Sequence, residues 1–169
     1  MRNPTGNRVR SLTFAALTAA LYVIFTLLSA VIGLSGGVIQ LRLSEALCVL
    51  PAVVPAVFVP GSVAGLTLGC ALGNFLTGCA VWDVVFGAFA TLLGAAGAAA
   101  LRRFPYLSWA PTVLSNVLIV PQILVRVYGA DEAVWFLLLS VGTGELLSCG
   151  GIGILLRPVF RKTLKSFRN

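Results

Sequence analysis

The chain has 169 residues, is 59% hydrophobic and 10% charged, and carries a net charge of +7 with mean hydropathy +1.01. No water-soluble domain of this size has that composition, so the bilayer is its solvent. It has no histidine, no GxxxxGK[ST] phosphate loop and no Ser-centred nucleophile elbow, so nothing supports metal, nucleotide-hydrolysing or acyl-transfer chemistry.

A transmembrane helix needs about 20 apolar residues, and a chain of 169 residues with short loops therefore holds six spans at most. Breakers and charges predict them at about 10–34, 44–59, 61–78, 82–101, 111–128 and 133–156, as one all-α bundle in a single domain over 1–169. The first follows Arg2, Arg8 and Arg10 as a secretory signal would. Its apolar stretch far exceeds the roughly 7–15 residues of such a signal, so it is read as a permanent helix. A polar loop from Ser35 to Leu43 precedes the second span, which contains Pro51 and Pro55 and meets the third at Pro60 and Gly61. These prolines, and Pro121 in the fifth span, remove backbone donors and predict kinked or irregular backbone. In the third span Gly65, Gly69 and Gly73 recur at every fourth position, a stripe on which another helix can pack closely. Ala15 with Ala19, and Ala16 with Ala20, repeat the pattern in the first span, more weakly because alanine is common in membrane helices. Cys48, Cys70, Cys79 and Cys149 form no CxxC pair and read as small core residues.

The basic residues orient the bundle. With the amino terminus inside, Arg2, Arg8, Arg10, Arg102, Arg103, Arg157, Arg161, Lys162, Lys165 and Arg168 are all cytoplasmic, ten of the twelve, and only Arg42 and Arg126 fall outside. Both termini are then expected in the cytoplasm. The net positive charge is topological and gives no support to nucleic-acid binding.

On that topology the polar residues of the spans gather in the outer half. Gln40, Arg42 and Glu45 open the second span, Asn74 ends the third, Trp82 and Asp83 open the fourth, and Gln122 and Arg126 share one side of the fifth. Asn116 lies deeper on a neighbouring face, and Glu145 sits near mid-membrane in the sixth span. A buried carboxylate is costly in a bilayer and asks for a ligand or partner. Glu45, after Ser44, has a competing role in the first turn of a helix, and Asp83 competes as an N-cap or as a partner of Arg42 or Arg126. Glu145 is too deep in its helix to cap anything. Trp82, Trp135 and Tyr128 fit an interfacial aromatic belt, and Asp131 and Glu132 fit a solvated loop.

Four stretches carry a resemblance: Gln40-Leu41-Arg42-Leu43-Ser44-Glu45-Ala46-Leu47; Asp83-Val84-Val85-Phe86-Gly87 with Ala90-Thr91-Leu92; Asn116 through Pro121; and Gly142-Thr143-Gly144-Glu145 with Ser148-Cys149. In this order they resemble the queuosine-precursor transporter family, membrane S components of energy-coupling factor transporters, over nearly the whole chain. The resemblance implies a subunit of a prokaryotic cell membrane that captures a deazaguanine-type precursor from outside. It works with a transmembrane coupling subunit and two cytoplasmic ATPases, which hold ATP and Mg, while this chain binds no cofactor and catalyses no reaction. Docking on the coupling subunit falls to Ala15, Ala16, Ala19 and Ala20. Adjacent donors of a deazaguanine suit a carboxylate, with Glu145 and Asp83 first and Glu45 third. Asn116 and Gln122 would read the rest of the ring edge, Arg42 would pair with a carboxylate, and Trp82, Phe86, Tyr128 or Trp135 would stack on the heterocycle. Three other readings stay open: an S component for another vitamin or heterocycle, a stand-alone carrier or channel, and a membrane enzyme using Glu145 and Asp83 as acid and base.

Overall fold

The computed structural model describes residues 4–34 and 40–166, and helices with short turns account for all secondary structure among them. Residues 35–39 of the polar loop, Arg2, Arg168 and the side chain of Lys165 lie outside the described residues. In chain order the long helices are α1 (Pro4–Val31), α3 (Val59–Leu76), α4 (Val81–Ala100), α5 (Ala110–Arg126) and α6 (Val134–Glu145). A π-helical stretch, Leu146–Gly153, continues α6 into α7 (Ile154–Ser166). Among the described residues, five stretches are long and apolar enough to cross a membrane: Gly6–Val31, Ala56–Leu76, Val81–Arg103, Pro105–Arg126 and Val134–Thr163.

The second expected span differs. Instead of one helix over 44–59 there is a 3₁₀ segment, Leu43–Val49, a single α-helical turn, α2 (Leu50–Val53), and a further 3₁₀ turn, Ala56–Phe58. The break at Val54, with ψ of 153°, sits directly before Pro55, which disfavours helical backbone in the residue it follows. From Leu43 to Val53 the helical backbone covers only about 20 Å, short of the roughly 30 Å hydrocarbon core. Residues Ser44 through Ala52 are all buried, so protein and not lipid surrounds this irregular backbone, the condition under which a membrane protein tolerates it.

The glycine stripe explains why the segment is needed. Gly65 faces Ala15 and Thr18, Gly69 faces Ala19 and Tyr22, and Gly73 faces Thr26, so residue numbers rise together and α1 and α3 run parallel. A Cβ built on Gly69 would lie 2.7 Å from the Tyr22 Cβ, closer than packed carbons tolerate. Lipid tails are as apolar as the helices, so this close backbone approach, rather than hydrophobic burial, drives the pairing. Two parallel helices require the chain to return between them, and Leu43–Phe58 is that return. It starts where the Leu43 N–H donates to Ser29 Oγ (3.0 Å), near the last turn of α1. It reaches the opposite end where Arg102 Nη2 donates to the Val54 carbonyl (2.7 Å). The remaining helices alternate: Gly94 and Gly97 of α4 abut Thr112 and Pro111 of α5, and Gly142 of α6 abuts Val117.

The bundle therefore has two distinct ends. One holds the first turns of α1, the 3₁₀ turn Ala56–Phe58, Arg102 and the start of α7, as the Phe14–Phe58 ring pair (5.0 Å) and the Arg157–Tyr106 contact indicate. The other holds Ser29, Arg42, Asp83 and Tyr128. Large apolar side chains such as Leu12, Ile24, Phe89, Leu118 and Leu139 face outward, whereas most buried polar groups face inward. That inversion of the soluble pattern suits a lipid surround.

Candidate binding site in the bundle interior

The interior polar centre starts from a stripe on α1. Thr18, Tyr22, Thr26 and Ser29 recur at helical spacing and all are buried. The Thr and Ser hydroxyls donate to carbonyls four residues back, at 2.8–2.9 Å, and so satisfy themselves within the helix. The Tyr22 hydroxyl is too far from its own backbone for that and donates to Glu45 Oε1 instead. Cys48 Sγ donates to Glu45 Oε2 at 3.0 Å. Glu45, 1% exposed, is thus held by two side chains. Ser44 is no N-cap: that position belongs to Arg42, without a side-chain bond, and the Ser44 hydroxyl has no partner among the described residues.

Asp83 is likewise not an N-cap, since Ala80 holds that position at the head of α4. Its Oδ2 accepts from the Tyr128 hydroxyl (3.2 Å) and lies 4.0 Å from Arg42 Nη2, so Arg42 and not Arg126 is its cationic neighbour. The Tyr128 oxygen in turn accepts the Ala80 N–H (3.0 Å), tying the end of α5 to the start of α4. Asn74 Nδ2 donates to the Asp83 backbone carbonyl at 3.4 Å.

Glu145 enters from the opposite side of the bundle, 4% exposed, in the last turn of α6 before the π-helical stretch. Its neighbour Gly144 meets the Gln40 carbonyl so closely that any Cβ there would collide with it. That contact brings the chain leading to Arg42 against α6. Glu145 lies within electrostatic reach of Glu45, Arg42 and Asn116, and Arg42 also within reach of Asp83 and Glu45. Arg42 thus pairs with Asp83 and has Glu45 and Glu145, from two other elements, within electrostatic reach. Three buried polar atoms at this centre, Asp83 Oδ1, Glu145 Oε2 and Asn116 Nδ2, make no hydrogen bond of good geometry among the described residues, and the last two belong to neighbouring side chains. Two acceptors and one donor are thus buried without good partners, a hydrogen-bonding capacity complementary to a polar edge with donors and an acceptor.

Not every sequence candidate joins this centre. Asn116 does, because it shares the buried face of α5 with Val113, Val120 and Ile123. Gln122 falls off that face. With Trp82, Phe86 and Arg126 it lines a separate groove of about 460 Å³ between α4 and α5. Trp82 and Phe86, one turn apart with rings 5.9 Å from centroid to centroid, lie on the outer face of α4, around the helix from Asp83. Trp135 is exposed and meets only the Phe136 ring, edge-on at 6.2 Å, among the described aromatic residues. On α1, Ala15 and Ala19 are taken up against Gly65 and Gly69, while Ala16 and Ala20 face outward. Tyr22 and Cys48 are the partners that the sequence reading leaves out. The Thr18-Tyr22-Thr26-Ser29 periodicity in an otherwise apolar helix is the signal that points to the first.

Ionisable side chains drawn from several helices into the interior of a lipid-facing bundle mark a site or path for a polar solute, the arrangement of a membrane transport protein. The chain belongs to the QueT transporter family, whose model matches residues 12–162, from the early turns of α1 into α7. Comparison with curated proteins and with solved structures returns no match. The protein is thus a multi-pass membrane transporter for a small molecule.

Proposed function

We propose that the chain is the substrate-capturing S component of an energy-coupling factor importer, and that its substrate is a queuosine precursor of the deazaguanine class. Membership of the QueT transporter family supports this reading, and the observation that carries it is the set of unpartnered atoms around Arg42. A deazaguanine offers a ring N–H beside an exocyclic amine, which one carboxylate accepts as a bidentate pair, and a ring carbonyl that an amide N–H can reach. Glu145 and Asn116 supply that combination, with Asp83 available for a further donor or an aminomethyl cation. Glu45, already held by Tyr22 and Cys48, acts as support.

The end carrying Arg8, Arg10, Arg102, Arg103, Arg157, Arg161 and Lys162 is the cytoplasmic one by its excess of basic residues, which gives six crossings with both termini inside. Substrate then arrives at the Asp83 end from outside. The chain performs no covalent chemistry. A coupling subunit docks on the outer face of α1 at Ala16 and Ala20, and two ATPases supply the energy from bound ATP and Mg. Tryptophan quenching or thermal shift of the purified protein with deazaguanine bases tests the substrate. Saturable tight binding is expected, and tight binding of an unrelated vitamin with no response to any deazaguanine overturns the assignment. Copurification tests the partners: substrate uptake that persists without a coupling subunit and ATPases excludes the S-component role.

A further inference from the structure

At the end of the bundle opposite Asp83, Arg102, Arg103, Arg157 and Arg161 line a cavity of about 470 Å³ whose other walls include Val53 and Pro105. The four guanidinium groups have unequal surroundings. Arg102 is fixed by its bond to the Val54 carbonyl, at 2.7 Å. Arg157, only 9% exposed, lies over the Tyr106 ring at 4.6 Å, and its Nε–H has no partner among the described residues. Arg161, one turn along α7, and Arg103 are exposed at the rim.

Among the described residues no acidic side chain lines this cavity. Of the five acidic residues, Glu45, Asp83 and Glu145 belong to the interior centre, and Asp131 and Glu132 stand in the turn before α6 at the other end. Topological bias explains why basic residues collect at a cytoplasmic face, but it leaves them free to splay into water. It does not account for one that is nine-tenths buried with an N–H unmade, beside three like charges. An external anion does.

We propose that this cavity binds a phosphate-type oxyanion, supplied at the membrane surface by the headgroup of an anionic phospholipid. Guanidinium forks match phosphate oxygens two at a time, and Arg157, pre-oriented by Tyr106, presents its free Nε–H to one of them. The exposed Phe104, Tyr106 and Leu107 at the same end provide an apolar flank for the glycerol and upper acyl chain. A basic pocket between helices at a cytoplasmic surface is a setting in which such headgroups bind. A free phosphate would use the same arginines but not that flank.

The test measures lipid binding, independently of any substrate. Native mass spectrometry of the detergent-purified protein, with phosphatidylglycerol or phosphatidylcholine added, is paired with thermal shift in inorganic phosphate at constant ionic strength. Selective retention of phosphatidylglycerol is expected, reduced about tenfold or more in Arg157→Gln. The exposed pair Arg103→Gln with Arg161→Gln, which spares the buried contacts, is expected to lose about as much. Arg8→Gln, an equally basic position outside the cavity, controls for bulk charge and should bind as the wild type does. Stabilisation by inorganic phosphate that is lost in the double variant, without preference between the two lipids, keeps the oxyanion site and assigns it to free phosphate. Equal retention of both lipids with no phosphate effect, or loss of binding in Arg8→Gln as large as in the double variant, overturns the proposal.

Discussion

Replacing Glu145 by glutamine keeps the shape of the side chain while exchanging one acceptor for a donor, and the surroundings of this residue separate two consequences that usually travel together. In the wild type its Oε2 is buried without a partner among the described residues, and its carboxylate faces that of Glu45 within electrostatic reach. An amide leaves no ionisable group buried beside Glu45, so the ligand-free protein is expected to melt at an unchanged or higher temperature. Binding moves the other way. A bidentate, charge-assisted pair from a heterocycle becomes a single neutral hydrogen bond, and one amide donor now opposes a ligand donor. With about 1.5–3 kcal/mol for hydrogen bonds to a charged group, the affinity loss is about 10- to 150-fold. Tryptophan quenching measures Kd and a detergent thermal shift measures stability on the same sample. Unchanged affinity together with a lower melting temperature would refute the reasoning, because it would make Glu145 a structural partner of Asn116 and Arg42.

Further outcomes follow from other contacts. Tyr22→Phe removes a hydroxyl donor from Glu45 without changing the ring, and a buried acceptor left short costs about 1–3 kcal/mol, read as a lower melting temperature. Gly69→Val forces α1 and α3 apart at Tyr22 and Ala19, and is expected to cost about 1–3 kcal/mol or more and to reduce the folded yield seen by size-exclusion chromatography. Gly144→Ala pushes on the Gln40 carbonyl and shifts Arg42, so it should weaken substrate binding at least as strongly as Glu145→Gln. Gly142→Ala, whose added carbon meets only a flexible Val117 methyl at 3.3 Å, should not; equal effects of the two would show that the approach of Gln40 is unimportant.

The all-helical class and five of the spans are legible because apolar length and charged boundaries are one-dimensional properties. The glycine stripe in α3 is legible for a similar reason, since its period is that of a helix face. The second span escapes a length count because its hydrophobic residues serve a buried, broken backbone, and burial by protein and burial by lipid favour the same side chains. Within the site, Glu145 and Asn116 are found by depth and helical phase, whereas Trp82, Phe86 and Gln122 share a membrane level with the centre but not a face. Level is set by position along the chain, and face by where each helix turns its packed side, which for α4 depends on Asn74 and Arg42 from other elements. Glu45 looks like an ordinary first-turn carboxylate until Tyr22, 23 residues earlier, is brought beside it.

The broken return between α1 and α3 has a consequence for how the protein is made. At about 20 Å of helix and with Glu45 in its first turn, it is too short and too polar to enter the bilayer as an independent unit. Its walls come from both ends of the chain: Tyr22 of α1 on one side, and Gly153 at the end of the π-helical stretch, packed on Ala46 and Val49, on the other. The long helices are apolar enough to cross the bilayer on their own, whereas the walls of this segment are complete only once the last of them is in place. The part of the molecule that holds Arg42 and Glu45 thus depends for its enclosure on both ends of the chain, and a chain cut before α6 lacks the Gly153 wall against Ala46 and Val49.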